Sequence, residues 1–598
     1  MTESNRQGNG GAPFASRAWT GPMGGGRHVP GVEARDGKFP GPSLMPALNA
    51  IQAEHGWLPR EELVKLSRDT RRPLYEIGGV ISFYSHFRTD GPVKVEVSVC
   101  HDLSCWLHGA EERIAEVRER YGDDVQVEVK EVSCLGRCDT APAVSVNEHP
   151  AHVDELDRLV EAGRDGGVPH AEPQAFAETW PNDPYGSGDE RYRLVRRFLG
   201  GELAPEEAIE ALKASGLRGM GGAGFPTGLK WDLVRGETAQ PKFLVCNADE
   251  AEPGTFKDRE ILTSQSHLVL EGMLLGMLVV GAEQGWLFIR HEYAPEEHVF
   301  RAELDAARAA GLLGEDVLGS GRRLEVDVFV SPGGYILGEE TALLECMEGH
   351  RGEPRNKPPF PGNYGLHGQP TLMNNVETFA HVPIIVERGG EWWQAQGKGD
   401  APGLKFFAVS GHVEKPTVVC MPMGSTAREL LEAAGGILGG AEPLAYQPGG
   451  ASSNFLGADK LDTPLEWNAL VEAGSVLGTG AMVFVAEGTN LLAAGTNVTR
   501  FFRNESCGKC VPCRVGSHKA LEILQGMLAR GEGPDSVDGE MADLEETARL
   551  TSICGLGQVA MAPVMSVVKL QGESSRAAAQ ADEAMETHQD DVGSSGPY

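Results

Sequence analysis

At 598 residues the chain is long enough for several domains, each with its own apolar core. A formal charge of -33 excludes a nucleic-acid or anionic-membrane binder, because those partners need Lys and Arg to neutralise phosphates. The longest apolar stretch, residues 268–281, carries Glu271 and is too short to cross a bilayer, and the polar N-terminus has no apolar leader, so neither a membrane span nor a secretory signal is expected.

Residues 1–40 mix Gly, Pro, Arg and Ser without periodicity and are expected to be a disordered lead-in. From Leu44 the apolar spacing turns helical, predicting three short helices that end near Phe87. Val93, Val95, Val97 and Val99 alternate with other residues, as in a half-buried strand that runs into Cys100. An amphipathic helix to Tyr121 and a second alternating strand, 125–132, lead on to Cys134 and Cys138.

Eight of the eleven cysteines fall into two tight spacing groups, which in a reducing compartment points to metal or cluster ligation and to a cytoplasmic location. In the first group, Cys100-x4-Cys105 and Cys134-x3-Cys138 each follow a strand, so four thiolates can converge on one soft site. Such a set binds zinc or an iron–sulfur cluster, and the longer spacers suit a flat two-iron cluster better than zinc. His101 and Asp102 read as loop residues between ligands. Helices followed by these cysteines in a strand–helix–strand setting resemble the thioredoxin-like [2Fe-2S] subunit of the NADH dehydrogenase family over residues 42–148.

Residues 151–190 are rich in Gly, Pro, Asp and Glu and are expected to be a linker between two ancestral polypeptides. The second of these contains Gly216 to Trp231, with six glycines in sixteen residues. Missing Cβ atoms permit positive φ and leave N–H groups unshielded, which suits a phosphate-cradling loop inside an α/β unit. Four further stretches follow. Phe243 to Glu252 is a buried-type strand whose end presents Asn247, Asp249, Glu250 and Glu252 as acceptors for ribityl or ribose hydroxyls. Gly333 to Thr341 opens a helix and includes Gly338, Glu339 and Glu340. Residues 354–361 form a rigid turn in which Lys357 offers a cation and Phe360 a stacking face. Gln369 to Thr378 places the amides of Asn374 and Asn375 at another helix start.

This loop and these stretches, in this order, are similar to the flavin- and NADH-binding subunit of the same family over residues 191–571. The resemblance implies that Arg218, Gly219, Gly221, Gly222 and Gly224 cradle FMN, with Lys230, Asn247, Asp249 and Asn375 also at the flavin. It implies that Phe225, Glu252, Glu340, Lys357 and Phe360 meet NAD(H), with Glu250, Gly338, Glu339 and Asn374 as neighbouring cofactor-binding candidates. One position departs from the respiratory pattern Arg-Gly-Arg-Gly-Gly: Met220 replaces the second arginine, as in the diaphorase subunits of NAD-linked formate dehydrogenases.

Residues 401–487 alternate as strands around one helix and resemble the ubiquitin-like β-grasp (SLBB) module of the family. Cys246, Cys346 and Cys420 read as ordinary buried thiols. Cys507-x2-Cys510-x2-Cys513 then places three sulfurs on one tight loop at the spacing of a cubane face, and Cys554 is the remaining cysteine on this side. A [4Fe-4S] cluster in a small helical bundle, residues 488–573, is expected, followed by a disordered acidic tail, 574–598.

The expected architecture is therefore multidomain α/β and α. It comprises a helical segment with a thioredoxin-like [2Fe-2S] domain (41–150), a Rossmann-like FMN/NAD(H) domain (191–400), the β-grasp domain and the [4Fe-4S] bundle. Hydride passes directly between nicotinamide and flavin, so no catalytic acid or base is expected. The expected function is the diaphorase subunit of a hetero-oligomer. Its leading partner is a formate dehydrogenase subunit with molybdopterin (Mo or W) and iron–sulfur clusters. The alternatives are respiratory NADH:quinone oxidoreductase, an NAD-linked hydrogenase, or a non-enzymatic iron–sulfur scaffold or sensor.

Overall fold

The computed structural model describes residues 43–167, 173–177, 179–186, 188–537 and 539–571. The expected lead-in and tail lie outside the described residues.

The first sheet has the order β2-β1-β3-β4, built from β1 (Val95–Cys100), β2 (Val127–Val132), β3 (Val144–Val146) and β4 (His149–Ala151). β1 and β2 run parallel, with Val97 opposite Val129, so a crossover helix, Ala110–Tyr121, must join them. Val95, Val97 and Val99 are all fully buried against Ile114, Val117 and Tyr121 on that helix. A second helix, Leu156–Arg164, packs Leu156, Leu159 and Val160 on the same sheet. The three N-terminal helices, Leu44–His55, Arg60–Thr70 and Leu74–Ile81, do not cover this sheet. Their apolar residues Leu44, Met45 and Leu48 join Phe288, Phe329 and Leu343 in the core of the next domain. Arg72 donates to the carbonyls of Glu348 and Gly349, and the Tyr84 hydroxyl donates to the carbonyl of His350.

The expected linker at 151–190 is corrected in the described residues. Its first part completes β4 and supplies the Leu156–Arg164 helix. Several of the later described residues anchor to the Lys257–Val280 helix: Trp180 Nε1 donates to Glu260 at 3.0 Å, Asn182 and Gln265 exchange two hydrogen bonds, and the Tyr185 hydroxyl donates to Glu271 at 2.6 Å. Its polar composition reflects polar anchoring to that helix rather than a tether.

The flavin-type domain is a parallel four-stranded sheet, order β7-β6-β5-β8, from β5 (Phe243–Ala248), β6 (Gln284–Arg290), β7 (Glu325–Ser331) and β8 (Thr371–Asn375). The Lys257–Val280 helix has the length and hydropathy of a membrane span, yet 89% of its apolar window is buried inside the protein. It is the central core helix of this domain and packs closely on the Val376–Arg388 helix. Gly272 allows that approach: a Cβ there would lie 2.1 Å from the Phe379 carbonyl oxygen.

A five-stranded β-grasp sheet follows, order β10-β9-β13-β11-β12, from β9 (Leu404–Gly411), β10 (Thr417–Pro422), β11 (Pro443–Gln447), β12 (Leu456–Gly457) and β13 (Ala481–Ala486). Its helix, Ala427–Ala433, starts with a reciprocal capping box between Thr426 and Glu429. The chain then forms the helices Leu491–Asn504, Val511–Ala529, Gly539–Thr551 and Gly555–Val559, with another from 562 to 571. Leu524, Met527, Met541 and Val564 form the bundle core.

Candidate cofactor sites

Ligands of open parallel sheets bind outside the carboxyl ends of the strands where the order reverses. Here that point lies between β5 and β8, where Asn247 and Asn375 are paired in register. The Gly-rich loop closes over it, between the Pro205–Ser215 and Thr227–Gly236 helices. Gly219 N–H donates to Phe225 O at 2.9 Å, and Gly222 and Gly224 have φ of 111° and 64°, which pins a tight turn with outward-facing glycines. A Cβ on Gly221 would lie 3.0 Å from Asn375 Cβ, and one on Gly224 would lie 2.9 Å from the Trp467 ring of the β-grasp domain. The loop is thus gripped between two domains, while Arg218, Gly221 and Phe225 remain exposed.

Two further features fit an organic cofactor. Asp249 is only 8% exposed, yet neither carboxylate oxygen has a hydrogen-bond partner. A buried acceptor without a donor costs about 1–3 kcal/mol, so a ligand hydroxyl offsets a standing penalty. Burial pushes the Asp249 pKa up to about 8. The second feature is a pair of exposed aromatic rings, Phe225 and Phe360, at 42% and 53% exposure. These are the stacking faces that flat rings need. Lys230 donates to Met373 O at 2.9 Å, with its Nζ 5.9 Å from the centre of the Phe225 ring. Burial lowers its pKa.

Several residues expected to contact cofactors are engaged within the protein. Glu250 accepts from the Asp258 and Arg259 N–H groups and the Tyr293 hydroxyl, so it caps the core helix rather than facing a ligand. Glu252, 5% exposed, accepts from Ser452 N–H at 2.6 Å and ties the β5 turn to the β-grasp domain. The Asn374 side chain takes the Trp231 indole hydrogen bond at 3.0 Å. Asn375 caps Glu377 and donates to Asp258 at 2.5 Å, leaving its Cβ as the contact with the loop. Asn247 donates to Gly338 O at 3.0 Å, which fixes the Tyr335–Gly338 turn beside the site. Glu339 caps the Glu340–Met347 helix, and Lys357 sits 2.7 Å from both Glu339 and Glu340. Lys357, expected to offer a cation, is thus paired with two carboxylates in this structure. Met220 also turns inward: it is 2% exposed, with its sulfur 3.9 Å from Lys405 Nζ. Its side chain packs away from the ligand face of the loop.

Sequence reasoning missed the ionic cluster beneath the loop. Glu377 lies 2.9 Å from Lys257 and 3.2 Å from Lys405, and Lys257 lies 2.6 Å from Asp258, all essentially enclosed. Burial would raise the Glu377 pKa, but Lys257 and Lys405 outweigh it and hold the carboxyl well below its ordinary range. The only signal was an acid shortly beyond the amides of Asn374 and Asn375.

The first cysteine group is buried. Cys100, Cys105, Cys134 and Cys138 are each at most 3% exposed, and the sulfurs of Cys134 and Cys138 lie 3.6 Å apart. Cys105 and Cys134 sulfurs accept N–H groups from Ala143 and Gly136. Hydrogen bonds from the Cys100 and Cys138 thiols hold Cys134 well below the usual thiol pKa, with Arg290 adding to the effect. Arg290 donates to Cys134 O at 2.6 Å and Arg259 to Gly136 O at 3.1 Å, so two buried cations of the flavin-type domain clasp this ligand loop. Buried neighbouring thiols with N–H donors on sulfur fit a thiolate-ligated cluster.

In the second group, Cys510 precedes the Val511–Ala529 helix and Cys554 precedes the Gly555–Val559 helix. A Cβ on Gly557 would lie 2.8 Å from Cys513 Cβ, so glycine there lets the turn after Cys554 pack against Cys513. Burial pushes Cys513 up to about 11 and Cys554 up to about 12. Neutral thiols in the free protein give way to thiolates only when a metal cluster is bound.

Four family descriptions match along the chain in the order of these sites. They are a thioredoxin-like [2Fe-2S] ferredoxin over residues 38–161, the Nuo51 FMN-binding domain over 212–384, an SLBB domain over 406–452, and the NADH-ubiquinone oxidoreductase-F iron–sulfur binding region over 493–576. An F-type subunit of NADH-quinone oxidoreductase in Rhizobium meliloti (strain 1021) is 42% identical over 63% of this chain and 90% of that protein. The chain belongs to the F-type NADH-quinone oxidoreductase family. The F-type protein of Escherichia coli (strain K12) is likewise 42% identical over 63% of this chain and 85% of its own length. The HndC component of the NADP-reducing hydrogenase of Solidesulfovibrio fructosivorans is 39% identical over 61% of this chain and 74% of that protein. Among solved structures, a chain of an NAD+-reducing [NiFe]-hydrogenase in its H2-reduced state superposes with a TM-score of 0.77 at 29% identity, covering 88% of this chain and 91% of that one. This member of the F-type family is thus an NAD(H)-dependent flavin and iron–sulfur oxidoreductase subunit. It has the FMN and NADH domain, the [2Fe-2S] domain and the [4Fe-4S] region.

Proposed function

We propose that this chain is the NAD(H)-reacting arm of a cytoplasmic multi-subunit oxidoreductase of the NAD-linked hydrogenase type, exchanging electrons with a partner subunit that carries the second substrate site. The observation behind this is structural likeness: 88% of the chain aligns with one hydrogenase chain, while in sequence the quinone oxidoreductase subunits cited above and the hydrogenase component HndC cover similar shares, 63% and 61%.

When bound, the flavin converts between a two-electron hydride and the single electrons that iron–sulfur clusters take. The protein's own residues position and insulate. The N–H groups of 221–223 would meet the phosphate, since those of Gly219, Met220 and Gly224 are taken by Phe225 O, Thr378 Oγ1 and Gly219 O. Asp249 would accept a hydroxyl, and Phe225 and Phe360 would offer stacking faces to flat rings. The Lys357–Glu339–Glu340 trio sets the charge at the nucleotide side. Tyr335 links the two halves: its N–H donates to Glu505 at 2.8 Å, two residues before Cys507, and its ring lies 5.0 Å from Phe501. That fixes the spacing between the turn after β7 and the cluster loop.

Formate oxidation by a molybdopterin partner, expected from the sequence, loses the support of Met220, because that side chain is buried against Lys405. It keeps the support of the fused architecture, which a hydrogenase assembly shares. Anaerobic purification of the tagged chain with its partners, followed by NAD+ reduction assays with dihydrogen and with formate and NADH oxidation by quinone, separates the readings. Dihydrogen-dependent NAD+ reduction with nickel in the preparation is the expected result. Formate-dependent reduction with molybdenum or tungsten would overturn it in favour of the dehydrogenase, and quinone reduction alone would favour the respiratory role.

A further inference from the structure

His86, Glu148 and His291 come from the N-terminal helical segment, the β3–β4 turn and the end of β6, three stretches far apart in the chain. One ligand atom from each lies within 4.8 Å of the others. His86 Nδ1 is 2.9 Å from Glu148, and the two imidazole rings are tilted face to face with centroids 4.4 Å apart. The three border a cleft of about 1440 Å³ between the thioredoxin-like and flavin-type domains.

Two observations indicate that this convergence is built. The β3–β4 hairpin has a two-residue turn, with Val146 paired to His149, and both turn residues are left-handed: Asn147 at φ 47° and Glu148 at φ 66°. Asn-Gly is the preferred pair for such a turn, and a Glu in the second place costs about 1 kcal/mol or more. The chain thus holds a strained residue where glycine is favoured, and its carboxylate is the group that meets His86. The second observation is His291. A Cβ on Gly333 would lie 2.6 Å from His291 Cε1, so the ring packs directly on that backbone, where glycine leaves it room. His291 Nδ1 is buried without a hydrogen-bond partner, 3.3 Å from Glu292, whose carboxylate is already held by Arg290. Two imidazoles this close repel when both are protonated, so at least one presents a free lone pair.

We infer that His86, Glu148 and His291 form a binding site for a borderline divalent cation, of which zinc is the representative. Two imidazoles and one carboxylate are a zinc donor set, and the open cleft leaves a fourth position for water. Ligand atoms in a tetrahedral zinc site are separated by about 3.4 Å, so small side-chain rotations close the present arrangement. The cation pins the helical segment and the thioredoxin-like hairpin to the flavin-type domain, one residue beyond the Arg290 that clasps the Cys134 loop. Cys134 and Cys507 line the same cleft, but none of the three proposed ligands belongs to a cysteine group.

The test uses the full-length holoprotein, stripped of loosely bound metal and equilibrated with Zn2+ at free concentrations set by a chelator. Zinc and iron are counted in the same samples, so that zinc at vacated cysteines is subtracted. Glu148→Gly is the deciding variant, because glycine is the residue the turn prefers and the hairpin keeps its fold. The expected result is one additional zinc per wild-type chain, with half-saturation at least tenfold weaker in Glu148→Gly and in His86→Ala, and a zinc-dependent rise in thermal midpoint in the wild type alone. No zinc uptake by the wild type would mean a simple His86–Glu148 ion pair. Equal uptake by the wild type and Glu148→Gly would place zinc elsewhere. Either result overturns the site.

Discussion

Glu377→Gln tests the buried ionic cluster beneath the flavin loop. Glu377 is fully buried, and it is the only acid within salt-bridge distance of Lys405 among the described residues, while Lys257 has Asp258 as a second partner. At contact distances near 3 Å and an effective dielectric of about 20, each lysine gains roughly 5 kcal/mol of gross attraction from this carboxylate. Most of that offsets desolvation. Removing one partner of an enclosed pair while leaving the cation in place costs about 3–5 kcal/mol. Glutamine keeps the shape and can still accept the Phe406 N–H, which now reaches Glu377 at 2.8 Å. The loss is therefore electrostatic. For a domain of this size it corresponds to a fall of roughly 10 °C in the thermal midpoint, read from flavin fluorescence on heating, with flavin content measured in parallel. Glu377→Gln combined with Lys405→Met removes the stranded cation and places an apolar chain beside Met220, so at least half of the loss should return. A single-variant shift below about 2 °C, or a double variant no better than the single, would refute the reasoning.

Three further outcomes are expected. Burial pushes the Glu271 pKa up to about 7 from an ordinary 4.5, although it accepts from Tyr185 and Leu194. The folded state therefore keeps a proton that the unfolded chain releases, and stability falls as pH rises from about 4.5 to 7 and then levels off. Glu271→Gln should flatten that part of the profile in urea unfolding at pH 5 and pH 8, and an unchanged wild-type-minus-variant difference would reject it. Gly557→Ala drives a methyl group into Ser552 and Cys513, displacing the Cys554 turn. Iron should drop by about four atoms per chain with flavin retained; full iron content would contradict the placement. Glu340→Gln removes one of the two carboxylates on Lys357. The Michaelis constant for NADH should change several-fold with flavin content intact, and identical constants for NADH and NAD+ in variant and wild type would remove Glu340 from the nucleotide site.

The cysteine groups were legible as cluster motifs because spacing is a local property: x4, x3 and two x2 spacers are read without the fold, whereas the packing of the Cys554 turn on Cys513 depends on Gly557. The order of modules was legible for a related reason, since β1 with its valines and the Gly-rich loop each announce an element through neighbouring residues. Glu250, Asn374 and Lys357 looked equally available from sequence, as polar residues at strand ends and turns. Whether each was free depended on partners far along the chain or folded back from it: the Tyr293 hydroxyl on Glu250, the Trp231 indole on Asn374, Glu339 beside Lys357. The segment 151–190 looked like a tether because its anchors are polar and its partner is the 257–280 helix. Met220 looked like a change in the phosphate site until Lys405, 185 residues away, was found against its sulfur. The sequence by itself determined which cofactor chemistries the chain can hold, because donor type and spacing are covalent facts. Only the tertiary structure decided which polar groups remain available to a ligand. A buried donor or acceptor takes whatever partner packing brings to it, and here that partner is often more than a hundred residues distant.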